Sequence, residues 1–382
     1  MIKVINTEKK PIKLWANNIE NTALEQAKNL ANLPFVFKWV SIMPDGHTGY
    51  GMPIGGVIAT QDVIIPNAVG ADIGCGMHTV KTNINNLSNE SLSNIVNKIK
   101  ETIPVGFNCN HDKTHWIGFN HAPDNEIINQ NLEKSKFQLG TLGGGNHFIE
   151  IQKDKDNYIW IMIHSGSRNI GYKIASYFHK IAVQNCEKYY SNIPSKDLSF
   201  LPLNTKNSDD YIECMNFALR FAKKNRQIMM SKINHIFQEE ITDTCFEPFI
   251  DVHHNYARWE NHFNKNVMIH RKGATSAKKD ELGIIPGSQG TKSYIVEGLG
   301  NEESFESCSH GAGRTLGRKE AKRKLNLSEE KDKMSGILHS IIDNDDLDEA
   351  PGAYKNIDIV MENQQDLVKI VHELHPMAVI KG

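Results

Sequence analysis

A carboxylate and a thiol stand three residues apart in Gly70-Ala71-Asp72-Ile73-Gly74-Cys75-Gly76, where three of the seven residues are glycine. Glycine permits sharp turns, so Asp72 and Cys75 can converge on one point. Alone, the heptapeptide is equally a tight turn around a buried free cysteine. Histidines bear on the choice. They occur in Gly143-Gly144-Gly145-Asn146-His147, in Ile163-His164-Ser165-Gly166-Ser167-Arg168 and in Val252-His253-His254-Asn255. Each ends an apolar run or a glycine turn, where a strand delivers a side chain to its edge. Neighbours on a strand face opposite ways, so only one of His253 and His254 serves a given site and the other is structural. A lone histidine so placed is usually hydrogen-bonded and inert. Asp, Cys and three His together exceed one closed tetrahedral site and suit two cations sharing the thiolate, a phosphoryl-transfer arrangement. Zn, Mn, Fe and Co all fit such donors, with intrinsic affinity favouring Zn over Mn.

A second constellation is Cys308-Ser309-His310-Gly311-Ala312-Gly313-Arg314, followed by Arg318, Lys319, Lys322, Arg323 and Lys324. Gly311, Ala312 and Gly313 leave backbone N–H groups open to a phosphate, and Arg314 can grip phosphate oxygens bidentately. Arg314, Arg318 and Lys322 recur every four residues, so on a helix they form one basic stripe able to follow an RNA backbone. A solvated helix face accounts for the distal lysines equally well. No GxxxxGK[ST] occurs, which sets aside the P-loop NTPases. Pro286-Gly287-Ser288-Gln289-Gly290-Thr291-Lys292-Ser293 is by itself a Pro-Gly turn entering a strand.

These residues need elements to hold them. Leu24, Ala27, Leu30 and Ala31 predict an early helix, and Leu92, Ile95, Val96 and Ile99 another. Asp209 to Gln238 predicts a long core-packing helix with Met215, Leu219, Ala222, Met229, Ile233 and Ile236 on its apolar stripe. Short strands are predicted at Ile54–Ala59, Tyr158–Ile163, Val267–Ile269 and Ser293–Val296. Asn108 to Lys136 and Asp343 to Tyr354 are polar and irregular and read as surface loops. With no βαβ rhythm, the class expected is α+β: one mixed domain, residues 1–382.

Composition narrows the partners. Lys plus Arg number 43 against 45 Asp plus Glu, so any nucleic-acid footprint is local. Six cysteines without a CxxC pair exclude a disulfide framework and a zinc ribbon. No long apolar window and no secretory h-region occur, so a cytoplasmic protein without membrane contact is expected.

Nine segments, taken in order, resemble the RtcB family of RNA ligases: MPDGHTGYG, AVGADIGCGMH, GTLGGGNHFIEI, HSGSRNIG, HHNYA, HRKGATSA, IIPGSQGTKSYIV, GLGNEESFESCSHGAGR and the terminal VIKG. The resemblance covers nearly the whole chain and implies β-sheets forming a central metal and nucleotide cleft surrounded by helices. It implies a ligase joining an RNA 3′-phosphate or 2′,3′-cyclic phosphate to a 5′-hydroxyl end, with GTP as cosubstrate and two Mn(II) ions. The implied ligands are Asp72, Cys75 as bridge, His147, His164 and His254, the last chosen over His253 by the family's His-Asn pair. His310 matches the histidine that takes GMP. Asn146 and Arg314 match phosphate-contacting positions, and Glu150, Ser288, Ser293 and Lys381 the guanine pocket, with Tyr354 stacking on the base and Gly311, Ala312 and Gly313 lining it. Arg168, Arg318 and Lys322 are the expected RNA contacts. Partners expected are RNA and GTP, with room for an archease-like activator, and a monomer or weak dimer. Three positions depart from the family pattern: Gly46 where Val is frequent, Asn169 where Gly is usual, and Gln289 where Met is usual. Two other classes compete, a dinuclear metallophosphoesterase, which needs no covalent histidine, and a non-catalytic RNA-binding relative.

Overall fold

The computed structural model describes residues 1–189 and 191–382. Its longest helix, Lys206–Glu240, starts at a capping box in which Thr205 and Ser208 satisfy each other's backbone N–H groups. Its apolar stripe buries Phe217, Phe221, Met229, Ile233 and Phe237. Asn21–Ala31 and Asn89–Thr102 are helices on the predicted periodicity, and the four predicted strands match Ile54–Thr60, Ile159–Ser165, Lys265–Lys272 and Ser293–Gly298, with Tyr158 alone falling outside.

Two sheets carry the chemistry. One has six strands in the order Lys3–Ile5, Ile12–Leu14, Val36–His47, Ile54–Thr60, Lys265–Lys272, Asn255–His262. The other has seven, in the order Ile250–His253, Gly76–Lys81, Ile159–Ser165, Phe148–Lys153, Val368–Lys381, Ser293–Gly298, Leu282–Ile285. Helices Asn89–Thr102 and Lys206–Glu240 cover one face of the larger sheet, sealing Ile99, Met229 and Ile233 against Ile149, Ile151, Ile161 and Ile163. The chain crosses between sheets at His254, the single residue between strands Ile250–His253 and Asn255–His262. A side chain at that corner belongs to neither sheet face and can point into the cleft between them. The class is α+β, as expected, with the cleft at the junction of the sheets.

Two predicted loops differ. Asn108 to Lys136 contains a 3-10 turn, Ile117–His121, and most of a helix, Glu126–Gln138, capped by the Asn125 side chain and buried through Ile127 and Ile128. Its sequence carries too few apolar residues for a clear stripe. Asp343 to Tyr354 is two 3-10 turns, Asn344–Glu349 and Pro351–Ala353, and buries Leu347, Glu349, Ala350 and Ala353. It walls the cleft.

Arg226 ties the long helix to the segments that bear the candidate ligands. Fully buried, it donates to the Gly74 carbonyl at 3.1 Å, to the Ser165 carbonyl at 2.9 Å and to both oxygens of Asp251 at 2.8 and 3.0 Å. Burial opposes ionisation of Asp251, but the Arg226 guanidinium and the His78 hydrogen bond prevail and hold it well below the usual carboxylate range. Arg226→Met would leave that buried carboxylate without its cation, with only the His78 contact at 2.9 Å, so chemical denaturation should show a stability loss of about 3–5 kcal/mol.

Candidate active site

Cys75 is the centre of the site. Its Sγ lies 3.5 Å from His147 Nε2 and 3.2 Å from His164 Nε2, while His147 Nε2 is 3.0 Å from Asp72 Oδ2 and His164 Nε2 is 3.4 Å from His254 Nε2. Two groups result, Asp72/Cys75/His147 and Cys75/His164/His254, each with all donor atoms within 4.8 Å of one another and with the thiol in common. Local structure explains the meeting. Asp72 and Cys75 sit in the loop entering Gly76–Lys81, and Gly74 turns that loop with a φ of 77°, against Ala222 of the long helix where a Cβ would crowd at 3.0 Å. His164 comes from Ile159–Ser165, and His147 from the glycine turn before Phe148–Lys153. His253 faces the other way, onto the Gly74 carbonyl and Arg226.

The imidazoles are set to ligate. Nδ1 of His147 meets the Leu142 carbonyl and Nδ1 of His164 the Asn146 carbonyl, both at 2.9 Å, which puts the protons on Nδ1 and leaves the Nε2 lone pairs facing Cys75. Burial pushes His164 and His254 well below the usual histidine range, so both are neutral. Their Nε2 atoms stand 3.4 Å apart, His164 offering the lone pair, and His254 Nδ1 has no partner among the described residues, so His254 Nε2 is free either to donate to His164 or to ligate a cation. Burial, with Asp72 beside it, pushes the Cys75 thiol well up. The donor set thus fits divalent cations, whose charge is what would ionise the thiol.

His310 faces this cluster, its ring centroid 4.7 Å from that of His254. It follows the short strand Ser307–Ser309. Its Nδ1 is 2.6 Å from Asp45 Oδ2, and its backbone N–H donates to the same oxygen at 3.1 Å. Asp45 is fully buried, and its Oδ1 has no partner among the described residues. A carboxylate on Nδ1 fixes the tautomer and leaves the Nε2 lone pair free. From sequence alone, Asp45 in the MPDGH segment reads equally as support for the site or as ordinary turn bonding; its contact with His310 favours the first.

A cavity of about 250 Å³ opens beside His310, and Asn146, Glu150, Ser288, Gly311, Ala312, Gly313, Arg314, Arg318, Tyr354 and Lys381 line it. Burial raises Glu150 to about 8, against the opposing pull of Lys381 and Gln152. Ser293 lies behind the wall, fully buried, accepting from Gln152 Nε2 and the Gly287 N–H.

The basic stripe is corrected. The helix starts at Arg318 and runs to Lys324, so Arg314 precedes it and the three side chains share no helix face. Arg314 is spent on the chain itself: Nη1 donates to Glu349 at 3.0 Å and Tyr354 Oη at 3.4 Å, Nε to the Leu316 carbonyl, and Nη2 to the Asp348 carbonyl. Arg318 pairs with Glu349 at 2.9 Å and Lys322 with Asp345 at 3.5 Å. Glu349, which the sequence reading missed inside a supposed loop, also accepts from Tyr354 and stands 3.7 Å from Lys381. Arg168 holds Thr141 Oγ1 and the Gly106 carbonyl, both at 3.0 Å. Among the described residues no helix is long and apolar enough to cross a membrane.

A cleft with two three-donor groups sharing one thiol, and an oriented imidazole facing them, defines a candidate metal site beside a histidine whose Nε2 is unprotonated. A family model described as tRNA-splicing ligase RtcB matches residues 26–122 and 111–382. RNA-splicing ligase RtcB of Escherichia coli strain K12 is 39% identical over 409 aligned residues, covering 100% of this chain and 99% of the relative. The tRNA-splicing ligase RtcB of Nanoarchaeum equitans strain Kin4-M is 32% identical over 457, covering 97% and 95%. That of Thermococcus kodakarensis is 31% identical over 446, covering 95% and 92%. The chain belongs to the RtcB family.

Removing the shared donor should affect both groups at once. Cys75→Ala is expected to weaken divalent-metal binding at least about tenfold by competition with a chromophoric chelator, with unchanged far-ultraviolet circular dichroism.

Proposed function

We propose that this chain is a GTP- and Mn(II)-dependent RNA ligase that joins 3′-phosphate or 2′,3′-cyclic phosphate ends to 5′-hydroxyl ends, with residues 1–382 working as one catalytic unit. The observation that carries this reading is the contact of His310 Nδ1 with Asp45 at the mouth of the nucleotide-sized cavity. A hydrolase needs no covalent histidine, so a GMP adduct on His310 separates the two readings.

Asp72, Cys75 and His147 would hold one Mn(II) and Cys75, His164 and His254 the other. Such ions supply positive charge for phosphate oxygens and acidify a bound hydroxyl. The protein's own groups do the rest. His310 Nε2 attacks the α-phosphorus of GTP, forming an N–P bond as the bond to pyrophosphate breaks. Asp45 accepts the Nδ1–H hydrogen bond and offsets the charge growing on the ring. An oxygen of the RNA 3′-phosphate then takes the GMP from His310, returning the electron pair to Nε2. The 5′-hydroxyl oxygen finally attacks the RNA phosphorus in line, GMP leaves, and a phosphodiester remains. A cyclic end is first opened by water to a 3′-phosphate.

Glu150 would select guanine. Its ionised carboxylate accepts from N1–H and the N2 amine, donors adenine lacks in that arrangement. Lys381 stands close enough to favour the ionised form. Tyr354, held by Glu349 and Arg314, supplies a ring for the base.

His310→Ala should abolish radioactive labelling by GTP with Mn(II) on denaturing gels, and a surviving covalent adduct would refute the assignment. Asp45→Asn should slow labelling by roughly 10³-fold or more, because an amide stabilises the wrong tautomer. A carboxyl raised to about 8 is protonated below that pH in the free protein. Binding through its ionised form must release the proton, at a cost that shrinks as pH rises. GTP affinity should therefore increase with pH, by up to about tenfold per unit below 8, and level off above. Titrations of Glu150→Gln should lack that slope, and a flat wild-type profile would count against the role given to Glu150.

A further inference from the structure

The loop carrying Phe107 packs against the donor group farther from His310. The Gly106 N–H donates to the Gly143 carbonyl at 2.8 Å, and the Gly106 carbonyl accepts from Arg168 Nη2 at 3.0 Å. A side-chain carbon on Gly143 would collide with both the Arg168 guanidinium and the His147 ring. His147, Gly143 with Arg168, and Gly106 are therefore in direct succession. The Asn108 N–H closes a turn onto the Val105 carbonyl at 3.2 Å, with Gly106 in the left-handed region at φ 63°. Phe107 stands at the tip of this pinned turn and is 106% exposed, as open as in an extended peptide. Folding gains nothing from an aromatic ring there. A base stacking on it would, and a ring on an anchored turn loses little freedom when it binds.

The position selects the strand. The Cys75/His164/His254 group adjoins His310, while Asp72/Cys75/His147 lies on the other side of the thiol. Solvent reaches the donor set at Asp72, whose side chain is 35% exposed against 6% for His147. In-line displacement places the attacking oxygen opposite the leaving group. GMP leaves toward the nucleotide cavity beside His310, so the 5′-hydroxyl enters from the Asp72 side, where the Phe107 turn stands.

We propose that Phe107 is the stacking platform for the base of the first nucleotide on the 5′-hydroxyl strand. This rests on the ligase reading above. Base stacking on an aromatic side chain tolerates any sequence and is strong enough to change affinity about tenfold.

The test uses the full chain with Phe107→Ala and Phe107→Trp, and Tyr189→Ala at the far end of helix Arg168–Lys188 as control. GTP labelling without RNA should be the same in all. For Phe107→Ala, the KM for the 5′-hydroxyl oligonucleotide in ligation, and its Kd by fluorescence anisotropy, should rise about tenfold. Phe107→Trp and the control should match wild type. With an abasic first nucleotide on the 5′-hydroxyl strand, wild type and Phe107→Ala should become equal. Unchanged KM and Kd in Phe107→Ala, a loss that persists with the abasic strand, a loss that follows the base of the 3′-phosphate strand, or impaired labelling would each overturn the platform. Wild type that neither labels nor joins ends would instead sink the ligase reading.

Discussion

One buried thiol orders the site. Cys75 sits where two three-donor groups overlap, with two imidazole nitrogens within 3.5 Å of its sulfur and the His164 and His254 Nε2 atoms 3.4 Å apart nearby. Interior packing does not make such an arrangement favourable by itself, because every member loses hydration. What keeps it in place is the surrounding framework: carbonyls of Leu142 and Asn146 on the outer nitrogens, and Arg226 beneath, gripping Gly74, Ser165 and Asp251. The strain of a preformed donor set is met by the fold and relieved by cations.

The cavity side is organised by acids rather than bases. Asp45 addresses His310, and Glu349 gathers Arg314, Arg318 and Tyr354, with Lys381 close by. Burial disfavours ionised Glu349, yet Lys381, Arg318 and Arg314 pull it below the ordinary carboxylate value. Arg314 thereby becomes a brace for the wall that carries Tyr354. In the proposed reaction, contact with the phosphates falls to the backbone N–H groups after His310 and to Asn146.

Much of this was legible in the sequence, and the reasons for the rest are physical. Periodicity gave the long helix and four strands because apolar spacing reports directly on which face is buried. It failed for Glu126–Gln138, where two adjacent isoleucines and an asparagine cap do the anchoring. The donors were readable as residue types beside glycine, but their meeting depends on contacts across as many as 182 positions, between Asp72 and His254, which only the fold supplies. Glu349 was missed, and Asp45 left open between site support and turn bonding, for a related reason. Each acts through a partner more than thirty positions away, and an acid in a polar segment carries no local mark of burial.

Anomalous diffraction at the manganese edge, from crystals grown with Mn(II), measures the central arrangement directly. Two ions about 3.5–4 Å apart, both bonded to Cys75 Sγ, are expected. A single ion, or a pair of which neither touches that sulfur, would contradict the account.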